Sequence, residues 1–293
     1  MKVLHSLAEL ATLNRPLNVA IGVFDGVHLG HQRVIAAASA VLTFDPHPMR
    51  ILHPDKAPPL LTSTPHKLAL IKQLGVDIAL VLPFTREFAI TPPETFLEKL
   101  AAHRVRQICV GARFHFGHNR AGNAALMERH AARLGYTVTE IPVVHTADGE
   151  MISSSAIRQH VLHARLDRAA AMLGRPFSLY GTVEPGDHRG ASIGFPTANL
   201  NLHNEVLPPD GVYAARVGQR LAVVNVGLRP TFQHATPGRL IEVHILDFTG
   251  DLYGQDIEVA LIQKLRGEQK FSSIESLQTQ IRADITQARR VLT

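Results

Sequence analysis

Residues 22–31, GVFDGVHLGH, are the most informative stretch of the chain, because an apolar strand ends and a helix begins within them. The preceding run, at residues 17–24, is nearly continuous in apolar residues, as is typical of a parallel strand that is buried on both faces. Gly26 and Gly30 let the backbone approach a ligand closely, and helix-forming residues begin at His31. Such a junction directs backbone N–H groups and the helix dipole at one point, which suits a polyphosphate. The stretch therefore predicts an open α/β sheet with an anion site after this strand.

Two histidines in this stretch are the first candidate ligand-binding side chains. His28 and His31 are three residues apart, so they share one face of a starting helix and can donate hydrogen bonds to one phosphate chain. Most histidine pairs at this spacing are ordinary surface or core residues, and the glycine-rich turn is what favours phosphate binding here. A zinc site is a weaker alternative, because no cysteine pair or HExxH sequence accompanies the histidines. Walker A and GxGxxG patterns are also missing from the sequence.

Outward from this junction, the first half of the chain alternates apolar strands with helical stretches. Residues 91–94, TPPE, predict a capping box, and Gly135 is the expected residue after the last of these helices. The alternation predicts a doubly wound α/β domain over residues 1–174. The further strands are expected at residues 41–44, 76–84, 107–110 and 136–144, and the helices at residues 31–38, 65–74, 92–103 and 124–134.

The second half of the chain has a different texture. Helices are predicted at residues 156–163 and 166–173, and Gly174 marks the expected domain boundary. The rest predicts an antiparallel β-sheet or barrel over residues 175–293. Its closing helix is expected to begin at a capping box in residues 272–275, SSIE, and to bury Ile274, Leu277, Ile281 and Ile285. The strands are expected at residues 178–183, 212–217, 221–226, 240–248 and 256–265.

Composition agrees with a folded protein of two domains. The 293 residues include 30 basic and 25 acidic side chains, for a net charge of +5, and 45% of them are hydrophobic. The basic residues are scattered, which argues against a nucleic-acid-binding surface. The longest nearly apolar run, residues 34–44, is shorter than the roughly 20 residues of a membrane-spanning helix. One cysteine, Cys109, favours a reducing cytoplasm, and we expect neither nucleic-acid nor membrane partners.

Residues 22–31 resemble the HxGH signature of nucleotidyltransferases, in the GxFDGxHxGH form of the prokaryotic bifunctional riboflavin kinase/FAD synthetases. Three further stretches follow in that family's order: residues 43–48 (TFDPHP), 110–117 and 152–158 (ISSSAIR, similar to ISSTxIR). In the second half, residues 181–199 resemble the flavokinase motif GxVxxG…GxPTAN. The resemblance spans almost the whole chain and implies a nucleotidyltransferase-like α/β domain followed by a flavokinase-type barrel.

For the first half, the resemblance implies transfer of AMP from ATP to FMN, giving FAD and pyrophosphate. Hydroxyls and an arginine at the start of the helix after residue 152 provide a second anion-binding end. His28, His31 and Arg158 would be the catalytic residues, because this reaction needs positioning and charge stabilisation rather than a nucleophilic side chain. The ATP contacts implied are Gly22, Phe24, Asp25, Gly26, His28, Gly30, His31, Ser154, Ser155 and Arg158.

For the second half, the resemblance implies phosphorylation of riboflavin by ATP. Strand alternation turns Glu242 and His244 away from their apolar neighbours, and the family's general base falls on Glu242. Mg²⁺ is the implied cofactor, bound by Thr197 and Asn199. The implied ATP contacts are Gly181, Gly186, Gly194, Pro196, Thr197 and Asn199, and the implied flavin contacts are Tyr253, Arg266, Glu268 and Phe271. Residues 225–231 also match a family segment.

This sequence departs from the family pattern at several positions. Arg113 stands where Asp or Asn is usual, Ser155 replaces a threonine, and Ala156 and Ala191 stand where arginine is common. The connection after His31 is also short, which predicts a helix of only about two turns. A riboflavin kinase with an impaired adenylyltransferase domain is therefore one alternative, and a non-catalytic flavin- or nucleic-acid-binding protein is another. The sequence does not predict an oligomeric state.

Overall fold

The computed structural model describes residues 1–13, 15–186, 189–228 and 239–293. The chain forms two compact units. The first comprises Met1–Leu60 and Thr64–Ser154, and the second comprises Leu61–Ser63 and Ser155–Thr293. In the described ranges, no helix is both long enough and apolar enough to cross a membrane.

The first unit is built on a parallel sheet of six strands in the order β1-β4-β3-β2-β5-β6. All five pairings between neighbouring strands are parallel, as the continuous apolar runs predict. Five of the strands confirm the predicted positions, and the short edge strand β1 was not predicted. The strands are β1 (Lys2–Leu4), β2 (Leu17–Ile21), β3 (Ala40–Asp45), β4 (Ile78–Pro83), β5 (Val105–Gly111) and β6 (Thr137–Ile141).

Helices cover both faces of this sheet. Val19 and Ile21 of β2 pack in a cluster with Leu100, whereas Ala20, between them, packs in a second cluster with Ile35. This alternation confirms the doubly wound architecture. The helices are α1 (Leu29–Ala36), α2 (Pro48–Leu52), α3 (Thr64–Gln73), α4 (Arg86–Ala89), α5 (Pro93–Ala102) and α6 (Ala124–Leu134), with 3₁₀ turns at Leu7–Thr12, Pro54–Lys56 and His118–Arg120.

The helix α1 has eight residues, just over two turns, which confirms the prediction of a short helix after the histidines. Gly135 ends α6 in the left-handed conformation, with φ of 71°, also as predicted. The prediction of a capping box at residues 91–94 is wrong. Pro92 is the N-cap of α5, no side chain caps the helix, and Pro93 occupies the first turn.

The second unit is a closed barrel of six antiparallel strands in the order β10-β11-β8-β7-β12-β9. The predicted antiparallel class is confirmed, and β8, rich in asparagine, is the strand that the sequence did not indicate. Its elements are α7 (Ser154–Leu162), which begins at the boundary, α8 (Leu166–Leu173), β7 (Phe177–Glu184), α9 (Arg189–Ser192), β8 (Ala198–Leu202), β9 (Gly211–Val217), β10 (Arg220–Leu228), β11 (Arg239–Ile245), β12 (Asp256–Arg266) and α10 (Ile274–Leu292).

The closing helix α10 packs on the outside of the barrel, and Ile285 of the predicted stripe packs against the core cluster there. Its buried residues are Asp284, Ala288 and Leu292, and Ile274 is 60% exposed. Its capping box is formed by Ser273 and Ser276 rather than by residues 272 and 275. The one-residue shift follows from the choice of Ser273, not Ser272, as the N-cap.

Residues from the first third of the chain complete the second unit. Leu61 is 1% exposed there, and its carbonyl accepts a hydrogen bond from Asn204 Nδ2 at 2.6 Å. Asn204 Nδ2 also donates to Ser178 O at 3.2 Å, and its Oδ1 accepts the Tyr180 N–H at 2.6 Å. This buried amide therefore bonds Leu61 to β7 at the barrel wall.

Candidate functional site

The strand order of the first unit locates its crevice. From β2 the chain proceeds through β3 and β4 in one direction, whereas β5 and β6 lie on the other side of β2. Ligands in open α/β sheets bind outside the carboxyl ends of the strands where this direction reverses. The stretch at residues 22–31 follows the carboxyl end of β2 at that reversal.

The loop after β2 has a left-handed backbone at three positions. Phe24 has φ of 54°, Gly26 of 82° and Val27 of 44°. Positive φ is unfavourable for a large or β-branched residue, and such strain persists only where the surroundings enforce it. At Gly22 the requirement for glycine is steric, because a Cβ there would lie 2.8 Å from Phe24 Cε1. The loop is thus held in a specific, strained shape.

Side chains from elsewhere in the unit bind the carbonyls of this loop. Thr43 Oγ1 donates to Val23 O at 3.1 Å, and Gln32 Nε2 donates to Val27 O at 3.0 Å. Ser154 Oγ donates to Asp25 O at 2.9 Å. Fixing the carbonyls also fixes the neighbouring N–H groups, because each peptide unit is planar. Ser154, predicted to contact ATP, therefore also supports the loop.

The two histidines lie together at the start of α1. His28 is the N-cap, and its Nδ1 accepts the His31 N–H at 3.2 Å. The two rings stack with centroids 3.5 Å apart and planes 18° apart. The pKa of His31 lies well below its usual value, because burial and then the neighbouring His28 and Lys67 disfavour the charged ring. Among the described residues, the buried His31 Nδ1 has no hydrogen-bond partner.

These contacts determine which protons the histidines can offer. His28 accepts at Nδ1, so its neutral ring carries the proton on Nε2 and can donate from that side. His31 is an uncharged ring at neutral pH, able to donate or accept depending on its tautomer. The pair supplies hydrogen-bonding groups at the N-terminus of α1, where the helix dipole favours an anion.

The remaining predicted residues of the first site lie on α7. Ser155 is exposed on the first turn and Arg158 is 7% exposed, and both belong to the second unit. The structure therefore brings together the histidines, Asp25 and Ser154 within the first unit. Arg113, which departs from the family pattern, is exposed, and its Nη1 lies 3.3 Å from Met151 Sδ.

In the second unit, glycines surround the predicted metal ligands. A Cβ on Gly186 would lie 1.7 Å from Asn199 Nδ2, and one on Gly190 would lie 3.1 Å from Thr197 Oγ1. Gly194 has φ of 87°, in the left-handed region that favours glycine. The side chains of Thr197 and Asn199 thus occupy space that only glycine leaves open. Asp187, in the same motif, lies outside the described residues.

Glu242 lies opposite Asn199 on β8 and Asn225 on β10. Asn225 Nδ2 lies 3.3 Å from Glu242 Oε2 and donates to it. The predicted alternation is confirmed, because Ile241 and Val243 are buried and Glu242 is only partly so. The structure therefore brings Glu242 on β11 together with Asn199 on β8, and Gly186, which follows β7, lies against the Asn199 side chain. Asn225 was missed as a supporting residue, although its segment matches the family. Residues 229–231 of that segment lie outside the described residues.

His244, on the same strand as Glu242, contacts the loop that precedes β8. His244 Nδ1 donates to Pro196 O at 2.7 Å, and its ring meets Phe195 edge-on at 5.9 Å. The loop that carries Thr197 is thereby attached to β11. Gly181, another predicted contact, lies in β7, where a Cβ would come within 2.2 Å of Asn201 O. Its role in the fold is close approach of β7 and β8.

Three of the predicted flavin residues lie at the end of β12 and beyond, and Tyr253 lies in the turn before that strand. Arg266 forms a salt bridge with Asp284 of α10 at 2.9 Å, and its guanidinium lies 5.7 Å from the centre of the Phe271 ring. Glu268 is exposed, and a Cβ on Gly227 would lie 2.4 Å from its Oε1. Tyr253 is 48% exposed. Asp284 was missed, because an acidic residue on a helix is normally solvated.

The donor set of the second unit fits Mg²⁺. In the described part of the chain, no group of three or more His, Cys, Asp or Glu side chains could hold a metal ion. Thr197 and Asn199 offer a hydroxyl and an amide oxygen, which are hard ligands, within the space that Gly186 and Gly190 leave open. Mg²⁺ commonly takes few protein ligands and completes its shell with phosphates and water, so two such donors are sufficient.

Comparisons with known proteins match each half separately. The family model for riboflavin kinase (flavokinase) matches residues 173–292, and the model for FAD synthetase matches residues 11–156. The bifunctional riboflavin kinase/FMN adenylyltransferase of Escherichia coli K12 is 38% identical over 288 residues, covering 92% of this chain and 91% of the relative. That of Bacillus subtilis 168 is 37% identical over 291 residues, covering 93% and 91%.

Among solved structures, the crystal structure of a macrolide-efflux protein from Streptococcus pneumoniae is similar, with a TM-score of 0.82 and 28% sequence identity over 98% of both chains. The two family models and the two bifunctional relatives confirm the family resemblance of the motifs over nearly the whole length of the chain. Because relatives at this identity match both halves in the same order, the chain belongs to the bifunctional riboflavin kinase/FMN adenylyltransferase family.

Proposed function

We propose that this chain makes FMN from riboflavin and ATP in its kinase domain, and FAD from FMN and ATP in its adenylyltransferase domain. We place the functional boundary at residues 174 and 175. The helices α7 and α8, which pack as part of the second unit, then belong to the adenylyltransferase, because α7 carries Ser155 and Arg158. A cytoplasmic location suits an ATP-dependent enzyme with a single cysteine.

Adenylyl transfer is carried by the stacked histidine pair at the start of α1. A phosphate oxygen of FMN attacks the α-phosphorus of ATP, and the bond to the bridging oxygen breaks as pyrophosphate leaves. His28 and His31 donate hydrogen bonds to the phosphates, while the N-terminus of α1 favours their charge. An uncharged His31 tolerates its buried place, and the strained loop after β2 holds the pair in position.

Riboflavin phosphorylation is carried by the group around Glu242. Its carboxylate accepts the proton of the ribityl 5′-hydroxyl as that oxygen attacks the γ-phosphorus of ATP, and ADP leaves. Asn225 donates to one carboxylate oxygen and so fixes the orientation of the base. Asn199, opposite Glu242 in register, and Thr197 face the nucleotide phosphates.

Mg²⁺ would be bound by Thr197 and Asn199. When bound, the ion neutralises phosphate charge and polarises the transferred group. The space that the glycines at 186 and 190 leave beside these two side chains supports this arrangement.

The two activities are tested by incubating the purified chain with riboflavin, ATP and Mg²⁺ and separating the flavins by chromatography. We expect FMN to form first and FAD to follow. FMN that never proceeds to FAD would leave a riboflavin kinase with an impaired adenylyltransferase domain. Absence of both products would leave a binding protein without catalysis.

The two sites are separated by point variants. Glu242→Gln should lower FMN formation at least about 100-fold, the usual contribution of a general base, without affecting FAD formation from added FMN. Glu258→Gln, on β12, which lies three strands away from β11 around the barrel, is the matched control and should retain FMN formation. His31→Ala should lower FAD formation from added FMN without affecting FMN formation. Equal FMN formation by the two glutamate variants would remove Glu242 from the mechanism.

A further inference from the structure

A buried lysine lies beneath the adenylyltransferase loop. Lys67 is on α3, three residues after the helix begins at Thr64, in a segment outside the recognised motifs, and 5% of its surface is exposed. A buried ammonium is unfavourable unless hydrogen bonds and opposite charges compensate it. Its position therefore calls for a reason beyond packing.

Its ammonium joins the ends of two central strands. Nζ donates to Val23 O at 3.2 Å, in the loop after β2, and to Phe44 O at 3.4 Å, in β3. It also interacts electrostatically with Asp25 of the same loop, with Asp45 at the end of β3, and with His31 of α1. Two carbonyls and two carboxylates thus converge on one cation at the carboxyl edge of the sheet.

The bond to Val23 bears directly on the strained part of the loop. The Val23 carbonyl accepts from both Lys67 Nζ and Thr43 Oγ1, and it immediately precedes Phe24. In a trans peptide the N–H points opposite to the carbonyl, so anchoring this oxygen also orients the Phe24 N–H away from Lys67. Phe24 is the first of the three residues with positive φ.

The charge of Lys67 also reaches the histidine pair. The ammonium is one of the groups that lower the pKa of His31, so its positive potential extends to the N-terminus of α1. A fixed positive charge in a dry interior is screened much less than one at the surface. It would favour phosphates at the histidines without touching them.

We propose that Lys67 is a positioning residue for adenylyl transfer, which holds the loop at residues 22–27 in its active shape and adds positive potential behind the phosphate site. The proposal rests on the function proposed above for the first unit. Lys67 touches no reacting atom in this scheme, since its ammonium bonds to the carbonyls of Val23 and Phe44.

The test compares Lys67→Met with Lys72→Met, an exposed lysine five residues further along α3, in the full chain. Lys67→Met should lower kcat/KM for FAD formation about 100-fold, the loss expected when reacting groups are misplaced by about an ångström. The kinase reaction of the same molecule should stay within twofold of wild type, as should both reactions of Lys72→Met. Equal losses in both reactions, or FAD formation by Lys67→Met that matches Lys72→Met, would overturn the proposal.

A pH profile distinguishes positioning by charge from packing alone. Burial lowers the pKa of Lys67 to about 8, so wild-type FAD formation should decline above that pH as the ammonium is lost. Lys67→Arg keeps the charge at high pH, and this decline should disappear in it. A decline at the same pH in Lys67→Arg would contradict the charge role.

Amide hydrogen exchange tests the positioning role of Lys67 even if the wild-type chain makes no FAD. Lys67→Met should raise amide exchange at least about tenfold in peptides that cover residues 22–27, because the loop loses a bond that enforces its strain. Lys72→Met should leave this exchange unchanged. A wild type that makes FMN but no FAD would refute the proposed function alone, whereas unchanged exchange in Lys67→Met would refute the positioning role of Lys67.

Discussion

Two Asp–Arg pairs, each with one partner on α10, permit a direct comparison of a buried salt bridge with an exposed one. Asp284 accepts from Arg266 Nε at 3.0 Å and Nη2 at 2.9 Å, and from Gln280 Nε2 at 2.9 Å. The side chains of Asp284 and Arg266 are 4% and 21% exposed. Asp247 pairs with Arg289 of the same helix at 2.8 Å, but these side chains are 75% and 46% exposed.

We expect Asp284→Ala to destabilise the second unit by about 3 kcal/mol, because removing one partner of a buried pair leaves a cation without compensation. The value lies at the low end of the usual range, since Arg266 keeps some contact with solvent. For a domain of this size it corresponds to a loss of roughly 10 °C in Tm. Asp247→Ala should cost less than about 1 kcal/mol, as is usual for exposed pairs.

The measurement is thermal unfolding followed by circular dichroism, because the chain has no tryptophan. The transition of the first unit should not move in either variant. Release of Arg266 should also raise KM for riboflavin, because the residues from 267 to 271 follow it directly. Equal destabilisation by the two variants would refute the reasoning, since burial is what separates the two pairs.

Three further outcomes follow from residues described above. Between pH 8 and 10.5, Lys67 keeps its proton in the unfolded chain but has released it in the folded chain. The free energy of unfolding of the wild type should therefore rise with pH relative to that of Lys67→Met, by about 1.5 kcal/mol between pH 8 and 9.5. Urea titrations measure this difference, and a constant difference would contradict the prediction. Gly186→Ala should displace the Asn199 amide and lower FMN formation at least tenfold with FAD formation from FMN unchanged, and equal loss of both would point to misfolding instead. Leu61→Ala should lower the Tm of the second unit by roughly 10 °C, because the cavity it leaves in the core costs about 3 kcal/mol of stability. A shift in the transition of the first unit instead would contradict the assignment of Leu61 to the second unit.

The elements that the sequence predicts best are those decided by local pattern. Strands buried on both faces are continuous apolar runs, so β2 to β5 could be located without knowledge of their partners. The strand β8, with the sequence ANLNL, could not be, because what stabilises it is its pairing with β7 and β11. The cap of α10 was missed by one residue because two adjacent serines satisfy the same pattern.

The motifs predicted the site more fully than its supports. His28 and His31 share a face because of their spacing, and the structure places them in contact. The supports depend on contacts that are distant in sequence: Lys67 reaches a carbonyl 44 residues away, and Arg266 reaches Asp284 across 18 residues. Whether a charged side chain is buried depends on such partners, and a single sequence does not reveal them.

The early segment that completes the second unit has a consequence for the order of folding. The hydrogen bond from Asn204 to Leu61 joins residues 143 positions apart, so the second unit contains a contact of very high sequence separation. During synthesis, Leu61 emerges long before β7 and Asn204 exist to cover it. The apolar side chain of Leu61 therefore stays exposed to water until the C-terminal half of the chain has been synthesised. We expect the final consolidation of the barrel to follow the N-terminal sheet rather than proceed alongside it.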